Sequence, residues 1–383
     1  MNTAVAISPC TSYAYEEVRL ALERVLLDTD GLSFLKEGMR VALKVNLVSF
    51  LAPERAATTH PTVVRALCDI LTERGATVVI GDSPGGLYNA AFVGRVYTAT
   101  GMRTCVGDKV TLNEDYSQKE AVFEDAKQAR RFTYTAYLDS ADAIIDVCKF
   151  KTHGMMGFSC AAKNMFGTVP GTMKPEYHFR YPTYEAFADM IVDLNEYFKP
   201  VLSICDAIVG MEGNGPTAGD PRAVGCLLAS RSPHALDLVA ADLIGLKKEA
   251  VPTLSAAYHR GLIPAAAEEV TVIGDADKYR ISDYKNIATL HSLGFRGTSD
   301  SVLKNMFGNI AKAALMTRPQ VKNKLCVGCN VCGGICPAKA IVMKNGKAVI
   351  DRKACIRCFC CQEFCPKGAM KVHRTFIARL LTH

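Results

Sequence analysis

No run of this 383-residue chain approaches the roughly eighteen consecutive apolar residues that a membrane-spanning helix needs, so no transmembrane segment is expected. The opening residues, MNTAVAISPC, lack a basic start followed by an apolar stretch, so no secretory signal is expected and a cytoplasmic location is. Residues 1–325 hold seven cysteines but no C-x2-C pair. Most of these thiols read as small buried apolar side chains, with Cys10, at the end of a strand, as the one candidate for reactivity. Acids are nearly missing from Arg318 onward, where thirteen Lys and Arg face only Asp351 and Glu363. That segment carries +11 of formal charge while the rest of the chain carries −4. A basic segment admits nucleic acid, an anionic membrane surface or an acidic protein as partner. No nucleic-acid motif accompanies it, which excludes the first and ranks an acidic electron carrier above the second. With 49% hydrophobic and 22% charged residues the chain has the composition of an ordinary globular protein.

What is abundant is cysteine between 326 and 365, where nine of the sixteen fall. Cys326, Cys329, Cys332 and Cys336 follow C-x2-C-x2-C-x3-C before Pro337, and Cys355, Cys358, Cys361 and Cys365 repeat it before Pro366. Two-residue gaps let one tight loop aim three thiolates at neighbouring irons of a cubane, and the proline turns the chain toward the other cluster. This is the bacterial two-cluster ferredoxin spacing, in which the fourth cysteine of each run serves the other run's cluster. One [4Fe-4S] cluster is therefore assigned to Cys326, Cys329, Cys332 and Cys365, and the other to Cys355, Cys358, Cys361 and Cys336. Neither a zinc site nor a disulfide framework accounts for two identical four-cysteine runs. Cys360 reads as a non-ligand. Asn345 and Gly346, between Ala340–Met343 and Ala348–Ile350, signal a hairpin.

The larger part alternates strand and helix patterns, which predicts an α/β domain with a mostly parallel sheet and helices on both faces, followed by a small α+β ferredoxin-like domain. Predicted boundaries are 1–275 for the α/β domain, 276–318 for a linker with an amphipathic helix over Val302–Leu315, 319–374 for the ferredoxin domain and 375–383 for a basic tail. Residues 85–140 read as an insertion or cap. The 302–315 face and the tail are the candidates for peripheral membrane contact, with docking on the main domain ranked first.

In such sheets ligands collect at the carboxyl ends of strands. Lys44 and Asn46 sit at one such end, Thr58, Thr59 and His60 precede a helix, and Asp82 and Ser83 follow a strand in GDSPGG. That loop is neither a Rossmann fingerprint nor a P-loop, and no flavin motif is present. Further on, Lys149, Lys151 and His153 alternate at spacing two, which puts them on one face if the strand continues. Lys163 and Asn164 follow near the end of a predicted helix. Clustered cations flanked by Ile144, Ile145, Phe150, Met165 and Phe166 require a counter-charge. Either an anionic ligand or acids must supply it. The loop GMEGNGPTAGD carries Gly213 and Gly215, whose backbones tolerate close ligand approach, and Asp206, Glu212 and Asp220 supply acids nearby. Glu212 is a candidate proton donor or acceptor, or else a structural ion-pair partner of those lysines.

The segments KVNL at 44–47, TTHPTVVRAL at 58–67, GDSPGG at 81–86, KFKTH at 149–153, KNMFG at 163–167, GMEGNGP at 210–216 and HALDLVAADLIG at 234–245 run in order through most of the chain. The chain resembles the family "domain of unknown function 362", many of whose members carry a carboxy-terminal two-cluster ferredoxin. The family's usual K-P-N-L has Val45 in place of proline here. The resemblance implies an α/β domain of unsettled biochemical role. The TTHPT stretch is also similar, as an analogy, to the threonine-rich segment of nickel-dependent lactate racemases. The leading expectation is an oxidoreductase that passes single electrons through two [4Fe-4S] clusters. Its redox partner would be an acidic ferredoxin, flavodoxin or reductase. Lys149, Lys151 and Lys163 would hold a small anionic substrate, and His153 or Glu212 would supply protons. The alternatives are a non-redox enzyme or ligand-binding module with structural or sensory clusters, and a pure electron carrier.

Overall fold

The computed structural model describes residues 3–287 and 317–373. From the amino end, β1 (Val5–Pro9) leads to α1 (Tyr15–Asp28), and β2 (Arg40–Val45) leads to α2 (Pro61–Glu73) and β3 (Thr77–Gly81). Pro61 opens α2 where its missing N–H costs nothing, and the His60 ring caps the helix by accepting from the Thr62 amide. Next come α3 (Ala90–Ala99), β4 (Val110–Leu112), the antiparallel pair β5 (Gln118–Val122) and β6 (Arg131–Thr135), and the wholly buried β7 (Ala143–His153). The short β8 (Gly157–Ser159), α4 (Ala161–Asn164), α5 (Lys174–Arg180) and α6 (Tyr184–Phe198) precede the long pair β9 (Leu202–Glu212) and β10 (Asp220–Ser230). The domain closes with α7 (Pro233–Asp242), α8 (Pro252–His259) and β11 (Val272–Ile273).

Nine strands form one sheet in the order β11-β1-β10-β9-β7-β2-β3-β4, with β8 folded back on β7. The run β9-β7-β2-β3-β4 is parallel, and β10 is antiparallel to both its neighbours. This is a mostly parallel mixed sheet. Strand alternation sorts its side chains: Val41, Leu43, Ile145 and Val147 pack under α1 and α2, whereas Cys148, Phe150 and Cys205 pack under α7 and α8. Layers therefore cover both faces, and the carboxyl ends of β2, β3 and β7 open at one edge.

One local expectation changes. The 85–140 segment does not simply cap the sheet, because Val110–Leu112 pairs with β3 and extends it by one strand. Elsewhere α7 ends at Asp242, and Gly245 then turns the chain with φ +71°. The expected helix over Val302–Leu315 and the 375–383 tail lie outside the described residues.

The carboxy-terminal unit pairs β12 (Arg318–Val321) with β15 (Met370–His373) and β13 (Ile341–Lys344) with β14 (Lys347–Ile350). Asn345 and Gly346 both take positive φ, 48° and 67°, as the right-twisted two-residue hairpin requires. One-turn helices at Val331–Gly334 and Cys360–Glu363 each follow a left-handed residue, Asn330 and Phe359, so the repeat seen in the cysteine runs is also a repeat of backbone shape.

Candidate functional site

At the carboxyl ends of β2 and β3, Lys44 Nζ pairs with Asp82 Oδ1 at 2.7 Å, both side chains buried. The second Asp82 oxygen accepts the Leu47 amide at 2.8 Å, fixing the turn that leaves β2. Asn164, at the end of α4, ties this pair to the rest of the site. Its carbonyl accepts from Lys44 Nζ at 3.3 Å and from Asn46 Nδ2 at 2.8 Å, and its amide donates to Asp146 at 2.6 Å. Burial pushes the Asp146 carboxyl well up. Asn46 in turn accepts from Lys151 Nζ at 2.5 Å, and the Ala57 carbonyl accepts from the same ammonium at 2.8 Å. One continuous polar network thus runs from the sheet into a cavity.

That cavity is lined by more cations than acids. Lys151, Lys163 and Lys174 all face it, and none is ion-paired with a carboxylate among the described residues. Lys174 donates to the Ser83 carbonyl. Lys163, 8% exposed, has no hydrogen-bond partner among the described residues and lies 4.7 Å from the centre of the Phe166 ring and 5.7 Å from that of Phe187. Burial, reinforced by neighbouring ammonium groups, lowers Lys151 to about 7 and Lys174 to about 8, and lowers Lys163 as well. Val48, at the cavity wall, is held at φ +52°, a conformation rare for a β-branched residue.

His153 closes β7. Its Nδ1 accepts two backbone N–H groups, from Met155 at 3.1 Å and Met156 at 3.2 Å, so the ring proton sits on Nε2. Burial lowers its pKa and keeps the ring neutral. Nε2 faces Glu363 Oε1 at 3.1 Å, so the ring N–H turns toward the carboxylate. Burial alone would raise Glu363, but His153 and then the charge of Lys163 hold its carboxyl well below the usual range.

Glu363 belongs to the second cysteine run, so the carboxy-terminal unit forms one wall of the cavity. Gln362 Nε2 donates to the carbonyls of Asn214 (2.9 Å) and Gly215 (3.1 Å). The Val372 amide donates to Asn214 Oδ1 at 3.1 Å, and Lys371 Nζ to the Ala218 carbonyl at 3.0 Å. Two glycines make this approach possible. A Cβ on Gly85 would stand 2.7 Å from the Phe364 ring, and one on Gly154 would stand 2.8 Å from Gln362 Oε1.

The residues singled out from sequence divide accordingly. Lys44, Asn46, Asp82, Lys151, His153, Lys163 and Asn164 come together at the cavity or directly beneath it. Ser83 stands beside them and orders the 171 turn by accepting the Gly171 amide at 2.7 Å. Lys149 does not join them. It pairs with Asp206 at 2.7 Å and donates to Tyr13 at 2.8 Å, deeper along β7 and across a register shift from Lys151. Thr59 accepts the Asn46 amide and donates to the Val147 carbonyl, while His60 stacks on Tyr13 at 3.6 Å. Glu212 also lies elsewhere, held at 2.7 Å by Lys285. Gly213 and Gly215 do not line the cavity: the Gly213 carbonyl accepts from Thr152 within the α/β domain, and the Gly215 carbonyl accepts from Gln362 across the domain junction. Cys10 is buried, with its thiol pushed up to about 12 by burial and then by Glu17 and Asp206, which makes it unreactive. Sequence reasoning missed Lys174 and Glu363. The signal for Glu363 was present, since it is one of two acids in an otherwise basic segment.

The cysteine runs fit the group their spacing implies. Cys326, Cys329, Cys332 and Cys365 line one hollow. Cys355 and Cys361 are raised by burial, then by one another's neighbourhood including Cys358 and Cys336. The Ala340 amide donates to Cys336 Sγ at 3.3 Å and the Ala369 amide to Cys365 Sγ at 3.1 Å, the same contact in each half of the repeat. Cys360 is buried beside Cys358 and Cys361, and the hydrogen bond with Cys358 and burial push its thiol well up. In the larger domain, Cys148, Cys160 and Cys205 bring their sulfurs within 4.8 Å of one another inside the apolar core.

Comparison with known proteins agrees with this division. Residues 41–242 match the family model "Domain of unknown function (DUF362)", and residues 318–366 match "4Fe-4S dicluster domain". The thylakoid-associated protein sll1697 of Synechocystis sp. is 33% identical over 271 residues, which cover 70% of this chain and 83% of that protein. Among solved structures, the lactate racemase apoprotein from Thermoanaerobacterium thermosaccharolyticum aligns with TM-score 0.40 and 8% identity over 63% of this chain and 57% of the racemase chain. The protein is a member of the DUF362 family that carries an iron-sulfur domain of the 4Fe-4S ferredoxin type at its carboxyl end.

Proposed function

We propose that this protein is an oxidoreductase that exchanges single electrons with a small anion held at the junction of its two domains. Cys326, Cys329, Cys332 and Cys365 would hold one [4Fe-4S] cluster, and Cys355, Cys358, Cys361 and Cys336 the other. When bound, such clusters supply one-electron transfer over potentials of roughly −700 to +450 mV. The observation that carries the reading is the contact of Glu363, two residues beyond Cys361, with His153 in the lysine-lined cavity. A pure electron carrier has no use for three unpaired buried ammonium groups, and a stand-alone ligand-binding domain has no use for a cavity wall built from a cysteine loop. Lys151, Lys163 and Lys174 would hold the anion, and the Nε2–H of His153 would face it as donor. Glu212 and Lys149 drop out of the roles expected for them.

The partner that exchanges electrons with the outside would be acidic. Support comes from the first cysteine run, where exposed Leu325, Val327 and Val331 stand beside Cys329 among Lys322, Lys324 and Lys347. The name of the Synechocystis relative, a thylakoid-associated protein, supports peripheral contact with an anionic membrane; salt-sensitive flotation with anionic vesicles would check it.

Anaerobic reconstitution tests the assignment. The reading expects about eight irons per chain and a reducible [4Fe-4S] signal. About four irons, or stoichiometric zinc, would refute two clusters. Cys358→Ser should abolish electron transfer while anion binding persists; turnover without clusters would favour a non-redox enzyme instead.

A further inference from the structure

We infer that the anion is a compact dianion, of the size and charge of sulfate, hydrogen phosphate or oxalate, and neither a monoanion nor a nucleotide. This rests on the reading that an anion occupies the cavity, and it names which kind. Four ammonium groups meet there, Lys44, Lys151, Lys163 and Lys174, against the carboxylates of Asp82 and Glu363. Asp82 is taken by Lys44 beneath the cavity floor, and Glu363 faces the neutral His153 ring, so Lys151, Lys163 and Lys174 share one carboxylate and two positive charges have no side-chain counter-charge among the described residues. Buried charges persist only when compensated, and a monoanion compensates one of the two. The depressed pKa values of Lys151 and Lys174 are what an unfilled site of this kind should show.

Donor chemistry points the same way. An ammonium offers three donors and no acceptor, and the His153 tautomer presents its N–H. A ligand whose surface is all acceptor satisfies them, which describes a fully ionised oxyanion better than a polyol or an amino acid. Size supplies the upper bound. About 60 Å³ of the cavity is free to water, space for a few molecules at the roughly 10–15 Å³ that each needs on that measure. A nucleotide or a long-chain acid does not fit while the iron-sulfur domain stays seated.

Calorimetric titration of the anaerobically reconstituted full chain, at constant ionic strength and pH 7, tests this. The probes are sulfate, phosphate and oxalate, with acetate and chloride as monoanions. At least one dianion should bind roughly tenfold or more tightly than either monoanion, and the ranking of the tetrahedral anions against oxalate tells an inorganic oxyanion from a dicarboxylate. Lys163→Met should weaken that dianion by roughly tenfold or more, whereas Lys285→Met, on the exposed Glu212 pair, should not. Iron content and melting temperature establish that both variants are folded. Acetate binding as tightly as the dianions, with loss in Lys163→Met, would overturn the dianion and leave the anion site standing. Dianion binding unchanged in Lys163→Met and Lys174→Met would overturn the assignment to this cavity. Absence of binding by every probe to cluster-loaded protein would overturn both readings.

Discussion

Glu363 and His153, far apart in the sequence, meet at 3.1 Å, and through them a cysteine loop becomes a wall of the α/β domain's cavity. The carboxylate sits among ammonium groups and is 17% exposed, so it acts as a resident counter-charge. Glu363→Gln keeps an acceptor for His153 and removes the charge. Phosphate or sulfate should then bind more tightly, by roughly threefold or more, and the ligand-free protein should melt at lower temperature. Calorimetry and thermal melting read the two effects; unchanged affinity would mean that the ligand does not share the Glu363 environment.

The two kinds of cation at the site should respond oppositely to mutation. Asp82→Asn strands Lys44, a fully buried ammonium, and should cost about 3–5 kcal/mol of stability. Lys163→Met removes an ammonium that has no carboxylate to lose and should leave stability equal or higher. Urea unfolding of the two variants separates them. Similar losses in both would show that Lys163 is compensated in solution.

Much of this was legible in the sequence, and the missing parts have physical reasons. Strands such as Val41–Val45 and helices such as Tyr184–Phe198 announce themselves because their apolar spacing is local. The cysteine runs are legible because ligand spacing is local too. Lys151 and Lys163 were found because cations beside Phe150 and Phe166 are conspicuous, whereas Lys174 was missed and Lys149 was wrongly grouped with them. Pairing across the fold was not legible. Lys149 and Lys151 have the same spacing relation to the core, yet Asp206 on the next strand neutralises the first and nothing neutralises the second. Glu212 lost its expected role to Lys285, a residue in what reads as a linker. Gly213 and Gly215 suggested ligand approach, whereas Gly215 instead lets Thr152 of the same domain come close, and it is Gly85 that admits Phe364 of the second domain.

Dependence on pH follows from Lys151 and Lys174. Each has a folded pKa, about 7 and about 8, below the unfolded value of 10.5. Between those limits the unfolded chain binds more protons, so stability rises with pH across that window and is flat below it. The groups acting on these ammoniums are Lys44, Lys149, Lys163, Asp82 and Glu363, with His178 beside Lys174. Melting temperature of the ligand-free protein should climb between about pH 7 and 9 more steeply than in Lys151→Met. A saturating dianion should flatten the slope, because it restores the charged form; identical slopes with and without it would count against the lysine trio.

Gly154 offers a steric test of the junction. A methyl group there would stand 2.8 Å from Gln362 Oε1 and 3.0 Å from Val372. Gly154→Ala should loosen the iron-sulfur domain without touching a cysteine. Limited proteolysis should cut the variant faster between the domains while iron content holds, and anion affinity should fall. Unaltered proteolysis and affinity would mean that the junction absorbs the methyl group.

The central claim is that the loop carrying Cys355, Cys358 and Cys361 adjoins an anion site while the Cys326–Cys332 loop does not. Anaerobic potentiometric titration of the reconstituted protein, with and without saturating sulfate, tests it most directly. One of two midpoint potentials should fall, by roughly 59 mV for each tenfold loss of affinity on one-electron reduction, and the other should hold. Two potentials that both stay fixed, or that shift together, would contradict the account.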